Sequence, residues 1–461
     1  MKKYSIILFA ALSLGAFSSC DDILDVEPTT AIEAEGAVKD YTTLNREALG
    51  AYSALQSGNY YGFRYLLYQD VYADNMLHAG TFTTDREASA RRFNASNLQL
   101  SSTWASIYTA INRANITIRD ADRLTNISEE QRAGIKAEML FIRALAHFDL
   151  VKVFGGVPIV TTPTTTIAEI QNAPRSTEAQ VYDAIITDLQ NAKAAFETAG
   201  NTASALGKRR SSGLAASALL ARVALQRGNN ALAEQNANEV ITSGAYTLES
   251  NFANIFTSES GREIIFELDF TLNDQNALGT ASDPASAGQK FYLREAAFNV
   301  FKASGDSGDK RFAATTRQQG TRYRLLKYED VTNNADNVPI IRLAEMYLIR
   351  AEARVRQTAS GGNNILPADL QVISDINMIR SRAGLSPVTV LTNAQALTEI
   401  LAQRRLEFIG EGFRFMDLKR YNQTCERLGF CPEDLTDFRN LWPIPLQQIE
   451  VNPNLTQNPG Y

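Results

Sequence analysis

The sequence predicts a mainly α-helical protein, an α/α superhelix of tetratricopeptide-like helix pairs broken by a loop-rich, irregular region. Three observations predict it. Long stretches repeat apolar residues every three or four positions between recognisable start and stop signals. Small residues between Leu214 and Val240 fall at the slots that a helix-pair repeat requires. Strand signals are few and short.

The stretch after Ser128 opens with a Ser cap and Glu in its first turn. It places Ile135, Met139, Ile142, Leu145, Phe148 and Leu150 on a helical period and stops at Gly155-Gly156, ahead of Pro158. A second helix spans 177–196, where Val181, Ile185, Leu189, Ala192 and Phe196 line one face. With Leu214 as the first position of a unit of about 34 residues, Leu220, Ala221, Ala224, Ala233, Ala237 and Val240 occupy its small and apolar slots, with the turn at Gly228-Asn229. Small side chains there let two helices approach closely enough for the next pair to stack. Ile340 to Arg356 and Pro367 to Arg382 read as another pair, and 128–155 with 177–197 as a third. Glu263 to Leu268 is the clearest strand, and Asn273 to Gln289, rich in Asn, Gly and Ser, reads as an irregular excursion.

Composition narrows the chemistry. Among 461 residues, 45 Lys and Arg against 51 Asp and Glu leave a net charge of −6, with no dense basic block, so no nucleic-acid partner is expected. Two histidines and three cysteines exclude His-rich or four-cysteine zinc sites and iron–sulfur clusters, and no metal or cofactor is expected. No nucleotide-binding loop and no nucleophile elbow is present.

Lys2 and Lys3, the apolar run Ile6 to Phe17 and Ser18-Ser19 form an export signal over 1–19. Cys20 directly after it resembles the bacterial lipoprotein box, which makes Cys20 the lipidated first residue of the mature chain. The acidic segment that follows, closed by Glu27-Pro28, is an extended leader over 20–40. Cys425 and Cys431 are then the remaining pair in a loop-like stretch, either a small-loop disulfide or two reduced thiols.

Five blocks in order, CDDILDVEPT, FIRALAHFDLVKVFGGVPIV (141–160), IRLAEMYLIRAEAR (341–354), RRLEFIGEGFRFMDLKRY (404–421) and LWPIPLQQIEVNPNLTQNPGY (441–461), resemble the SusD/RagB family of outer-membrane nutrient-binding lipoproteins. The resemblance runs from Cys20 to Tyr461. It implies four tetratricopeptide-like units, an irregular region carrying the ligand site, and no enzymatic activity. It also implies a place in the outer membrane, lipid-anchored and facing the exterior. The implied role is to capture oligosaccharides or polysaccharides and deliver them to a TonB-dependent transporter of SusC type. The expected organisation is a helical region over 41–270 and a SusD/RagB region over 271–461, packed as one body. A polysaccharide-degrading enzyme, a peptide or glycopeptide binder and a scaffold are the alternatives.

A sugar site needs aromatic faces for ring stacking and Asp, Asn or Arg for hydroxyls. The loop-like stretch Asp74 to Leu98 offers Asp74, Asn75, His78, Phe82, Arg86, Phe93, Asn94 and Asn97, and the family places binding residues in this loop. Tyr292, beside Phe291, and Phe298 form a second source. Asp74 and Asn75 are expected to orient the sugar without contributing much to stability. Glu407 and Glu411 share an apparent helix face as a glycosidase pair would, yet Arg404, Arg405, Arg414, Lys419 and Arg420 favour ion-paired architecture. His147, Trp104 and Trp442 read as core.

Overall fold

Small residues set the spacing of the helix pairs. The computed structural model describes residues 37–203, 206–286, 290–359, 363–431 and 437–461. The export signal, Cys20 and most of the leader lie outside them. The helices are α1 (Tyr41–Leu55), α2 (Arg64–Val71), α3 (Thr83–Ser89), α4 (Leu98–Arg123), α5 (Glu129–Phe154), α6 (Glu178–Thr198), α7 (Gly213–Arg227), α8 (Asn230–Thr242), α9 (Leu343–Thr358), α10 (Leu370–Ala383), α11 (Asn393–Phe408) and α12 (Arg414–Arg420), with shorter ones between. Four pairs stack in series: α1 with α4, α5 with α6, α7 with α8, and α9 with α10. Successive pairs touch through α4 on α5, α6 on α7 and α8 on α9.

The caps are those that the sequence signals. Ser128 accepts from the Gln131 amide and Gln131 returns the bond, and Thr177 does the same with Gln180. Ala221, Ala224, Ala233 and Ala237 are fully buried where α7 meets α8. Gly228, in the left-handed region at φ 87°, closes α7, and the Asn229 amide bonds to the Ala224 carbonyl at 2.8 Å.

Among the described residues, six short strands form three two-stranded ladders: β1 (Met76–His78) with β3 (Phe291–Leu293), β2 (Ile264–Leu268) with β6 (Val338–Arg342), and β4 (Thr316–Gln319) with β5 (Arg322–Leu325). The helix expected from Ile340 therefore begins at Leu343. Residues 338–342 are buried on both faces, so they lack the one-sided period of an amphipathic helix and pair with β2 instead.

A buried ionic spine joins the last helices to this ladder. Arg342, at the end of β6, binds Glu263 at 2.8 Å, Glu407 at 2.5 Å and Glu411 at 2.9 Å. Glu407 also meets Arg382, and Arg311 at 3.0 Å, while Lys327 holds Glu411 at 2.5 Å. Burial would raise the Glu407 carboxyl, but Arg382, Arg342 and Arg311 hold it far below the ordinary range. Helix α11 ends at Phe408, so Glu411 is not on the helix face expected of it; the two carboxylates meet through Arg342. The sequence expectation of ion-paired architecture is what the structure shows. His147 is likewise core. Its Nδ1 donates to the Arg143 carbonyl at 3.0 Å and its Nε2 accepts from the Val160 amide at 3.2 Å, which fixes the neutral tautomer. Burial, with the nearby Arg143 charge, pushes its pKa down to about 3. Trp104 and Trp442 are buried. Cys425 and Cys431 are joined as a disulfide, with Cα atoms 4.8 Å apart.

Candidate functional site

The two sources of sugar-binding residues, far apart in sequence, are brought side by side by one ladder. β1 and β3 run antiparallel with Met76 opposite Leu293, Leu77 opposite Tyr292 and His78 opposite Phe291. The ladder is extended at both ends, by the Arg294 amide on the Asn75 carbonyl at 2.9 Å and the Ala79 amide on the Lys290 carbonyl at 2.8 Å. The stretch 74–98 is thus no simple loop. It contains β1 and the short helix α3, which an acidic first turn and the apolar anchor Ala88 stabilise.

Most of the expected ligand residues point inward in this structure. Asp74 is gripped by Arg414 at 2.6 and 2.8 Å and faces Arg405 at 3.3 Å. Burial would raise its carboxyl, but the Arg414 hydrogen bonds and both guanidinium charges hold it below the ordinary value. Asn75 is buried, donating to Asp70 at 2.7 Å and accepting from Arg405 at 2.9 Å. The Asp-Asn pair therefore ties α2 and β1 to α11 and α12. Phe93 lies in the core, stacked on Tyr72 at 5.3 Å and edge-on to Trp442 at 5.1 Å. Asn97 caps α4, accepting from the amides of Gln99 and Leu100 and donating to Glu87 at 2.7 Å. Phe298 is buried and stacked on Tyr323 at 4.3 Å. Tyr292 is 4% exposed, and the Arg322 guanidinium covers its ring at 5.2 Å. Apolar or charge-satisfied side chains gain nothing by leaving these places, and sequence order does not reveal burial of this kind.

Phe82 and Arg86 are different. Phe82 is 59% exposed at the start of α3, an unusual exposure for a large ring among the described residues. Arg86 is also exposed, and its Nε donates to the Gly80 carbonyl at 2.9 Å, fixing the turn between β1 and α3. His78 lies beneath this turn, 7% exposed, with its ring 4.8 Å from that of Phe291. A Cβ at position 80 would come within 2.7 Å of the His78 ring, so Gly80 is what allows the turn to close over it. Arg322 and Tyr323 on β5 complete the surface beside β3. Sequence reasoning missed both, because β5 carries no motif and is placed only by its packing. The resulting face offers an open aromatic ring, exposed guanidinium groups and backbone edges. It suits ring stacking and hydrogen bonding to hydroxyls.

The comparisons with known proteins agree with this architecture. One family profile, described as "Starch-binding associating with outer membrane", matches residues 22–225, and a second, described as "SusD family", matches residues 299–430. SusD-like protein P38 of Formosa agariphila is 26% identical over 528 aligned positions that span all of both chains. The starch-binding protein SusD of Bacteroides thetaiotaomicron is 34% identical over 133 residues, covering 27% of this chain and 22% of that one. Among solved structures, a SusD superfamily protein from Bacteroides thetaiotaomicron superposes with a TM-score of 0.78, and a laminarin-binding SusD-like protein with 0.77. Each is 25% identical and covers 92% of this chain and all of its own. Profiles on both sides of the irregular insertion, a whole-length relative and a shared helical scaffold converge, and the chain belongs to the SusD/RagB family.

Proposed function

We propose that this protein captures oligosaccharides at the cell surface, on the face built by the β1–β3 ladder, α3 and β5, and passes them to a TonB-dependent transporter of SusC type. Whole-length kinship with SusD-like proteins carries the reading, and the exposed Phe82 ring beside Arg86 gives it a place on the molecule. Glycan hydroxyls exchange water for protein partners at little net gain, so a stacking ring supplies much of the affinity. Glu407 and Glu411 are locked between cations, which favour the ionised form of both and leave neither suited to act as a general acid. This supports a protein that binds rather than hydrolyses.

Cys20 anchors the protein in the outer membrane with the ladder face outward. No described helix is long and apolar enough to cross a membrane, and the lipid on Cys20 provides the attachment. The test has two parts. Purified protein is screened by affinity electrophoresis against soluble polysaccharides, and retardation by at least one without release of reducing sugar is expected. A Cys20→Ser chain, expressed without the transporter, is expected in the soluble fraction. Reducing-sugar release, or membrane association of that variant, contradicts the proposal.

A further inference from the structure

We propose that the saccharide held at the β1–β3 face is anionic, carrying uronate carboxylates or sulfate esters, and that Arg86, Lys290 and Arg322 meet its charge. This rests on the reading of the face as a glycan site and names the ligand class.

Positive charge is left over at this face. In the helical body many arginines have carboxylate partners, Arg143 with Asp188, Arg210 with Glu138, Arg222 with Glu345, Arg350 with Asp375, and Arg420 with Glu352, each at 2.6 to 2.7 Å, while Arg113, among the described residues, bonds only to the Gly50 carbonyl. At the ladder the cations bond to backbone or lie on rings. Arg86 donates to the Gly80 carbonyl, Lys290 to the Ser286 carbonyl and Arg294 to the Ser89 carbonyl, and Arg322 lies over Tyr292. None of the four has a carboxylate within 4.0 Å among the described residues. The Arg294 Nε is buried and has no hydrogen-bond partner.

The acids nearby are already engaged or turned away. Asp85 is buried and serves Tyr68 and Arg64, Asp283 faces Arg324 at 3.9 Å, and Glu87 accepts from Asn94 and Asn97. Glu295, exposed at the start of the helix Glu295–Asp306, is the acidic side chain next in sequence to Arg294. Of the eight Lys and Arg in residues 290–324, Lys302, Arg311, Arg317 and Arg324 have carboxylates within 4.0 Å, and Lys290, Arg294 and Arg322 have none among the described residues.

The cations are spaced along the ladder rather than bunched. Arg322 sits at the Leu77–Tyr292 rung, Lys290 opposite Ala79, and Arg86 at Gly80, a span of about 10 Å at the usual strand rise. A linear polymer with charges along its length presents anions on that scale, while a neutral glycan would leave the excess charge uncompensated. Guanidinium groups bind carboxylate and sulfate oxygens by charge-assisted bonds, stronger than those to hydroxyls.

The test is calorimetric titration of the full-length protein with four probes: oligogalacturonate, a sulfated galactan oligosaccharide, a laminarin oligosaccharide and maltoheptaose. At low salt, one anionic probe is expected to bind about tenfold or more tighter than either uncharged probe. That margin should shrink as NaCl rises toward about 0.5 M. Which anionic probe binds separates carboxylate from sulfate recognition. Arg86→Gln with Arg322→Gln, both at exposed positions, should cost about tenfold in affinity for the anionic probe while the variant keeps a cooperative unfolding transition. An uncharged probe that binds as tightly as the anionic ones, or a double variant with unchanged anionic affinity, overturns the charge assignment and leaves glycan capture standing. Failure to bind the four probes overturns the charge assignment, and failure to bind any polysaccharide in the electrophoretic screen as well overturns both.

Discussion

Arg342 and Arg322 lie on separate two-stranded ladders, β2–β6 and β4–β5, and do opposite work. Arg342 is enclosed by Glu263, Glu407 and Glu411, and with Arg311, Arg382 and Lys327 it makes a spine in which cations and carboxylates pair off. Arg322 is exposed, lies over a tyrosine ring and faces no carboxylate among the described residues. A buried charge has to be matched, because desolvation would otherwise exceed what its surroundings return. An exposed one remains hydrated and available. Full neutralisation thus marks the buried spine, and the exposed cations of the β1–β3 face keep charge that the proposed ligand would meet.

Removing a member of the spine should have the largest effect. Glu407→Ala leaves Arg311, Arg342 and Arg382 crowded around a missing carboxylate and should cost about 3–5 kcal/mol, read as the shift of a denaturant unfolding curve. A loss below about 1 kcal/mol would show that the spine is not what holds α11 to β6. Next comes the helix-pair contact. Ala224→Trp or Ala233→Trp, at fully buried positions between α7 and α8, should cost about 1–3 kcal/mol from overpacking, and an unchanged melting temperature would break the account of the repeat.

Asp74 sharpens the comparison, because its sequence neighbours suggest the ligand face while its contacts belong to the body. Asp74→Ala should destabilise by about 1–3 kcal/mol, since it strips Arg414 of its partner. Normal stability with impaired binding would return Asp74 to the binding face. The smallest effect on the fold concerns His147. Its pKa is pushed down from 6.5 to about 3, so below pH 6.5 the unfolded chain takes up a proton that the folded chain refuses. Stability contributed by this group is therefore present above pH 6.5 and falls as the pH drops toward 3, by at most about 1.4 kcal/mol per pH unit. His147→Gln should flatten that part of the stability profile. An equal slope in parent and variant would assign it to other groups.

The helical body was legible because its signals are local. Ser128 and Thr177 announce helix starts, and Ala221, Ala224, Ala233 and Ala237 announce a close crossing, all within a few turns of chain. The five family blocks are equally local. The binding face was legible only in part. The stretch 74–98 and the residues near Tyr292 could be singled out by composition, and Phe82 and Arg86 are exposed there. Burial of Phe93, Tyr292 and Phe298 could not be read, because each ring is covered by a residue distant in sequence or by one with no motif of its own: Trp442, Arg322 and Tyr323. The contacts of Asp74 and Asn75 could not be read for the same reason, since their partners Arg414 and Arg405 come more than three hundred residues later.

The central claim is that the exposed ring of the β1–β3 face binds sugar without taking part in the fold. It is tested most directly by calorimetric titration of the parent and Phe82→Ala proteins with an oligosaccharide that the parent binds, alongside their unfolding curves. The account predicts a loss of about 0.5–1.5 kcal/mol of binding, roughly two- to tenfold in affinity. The stabilities should agree within about 0.5 kcal/mol. Equal affinity in the two proteins would contradict it and place the glycan site elsewhere on the molecule.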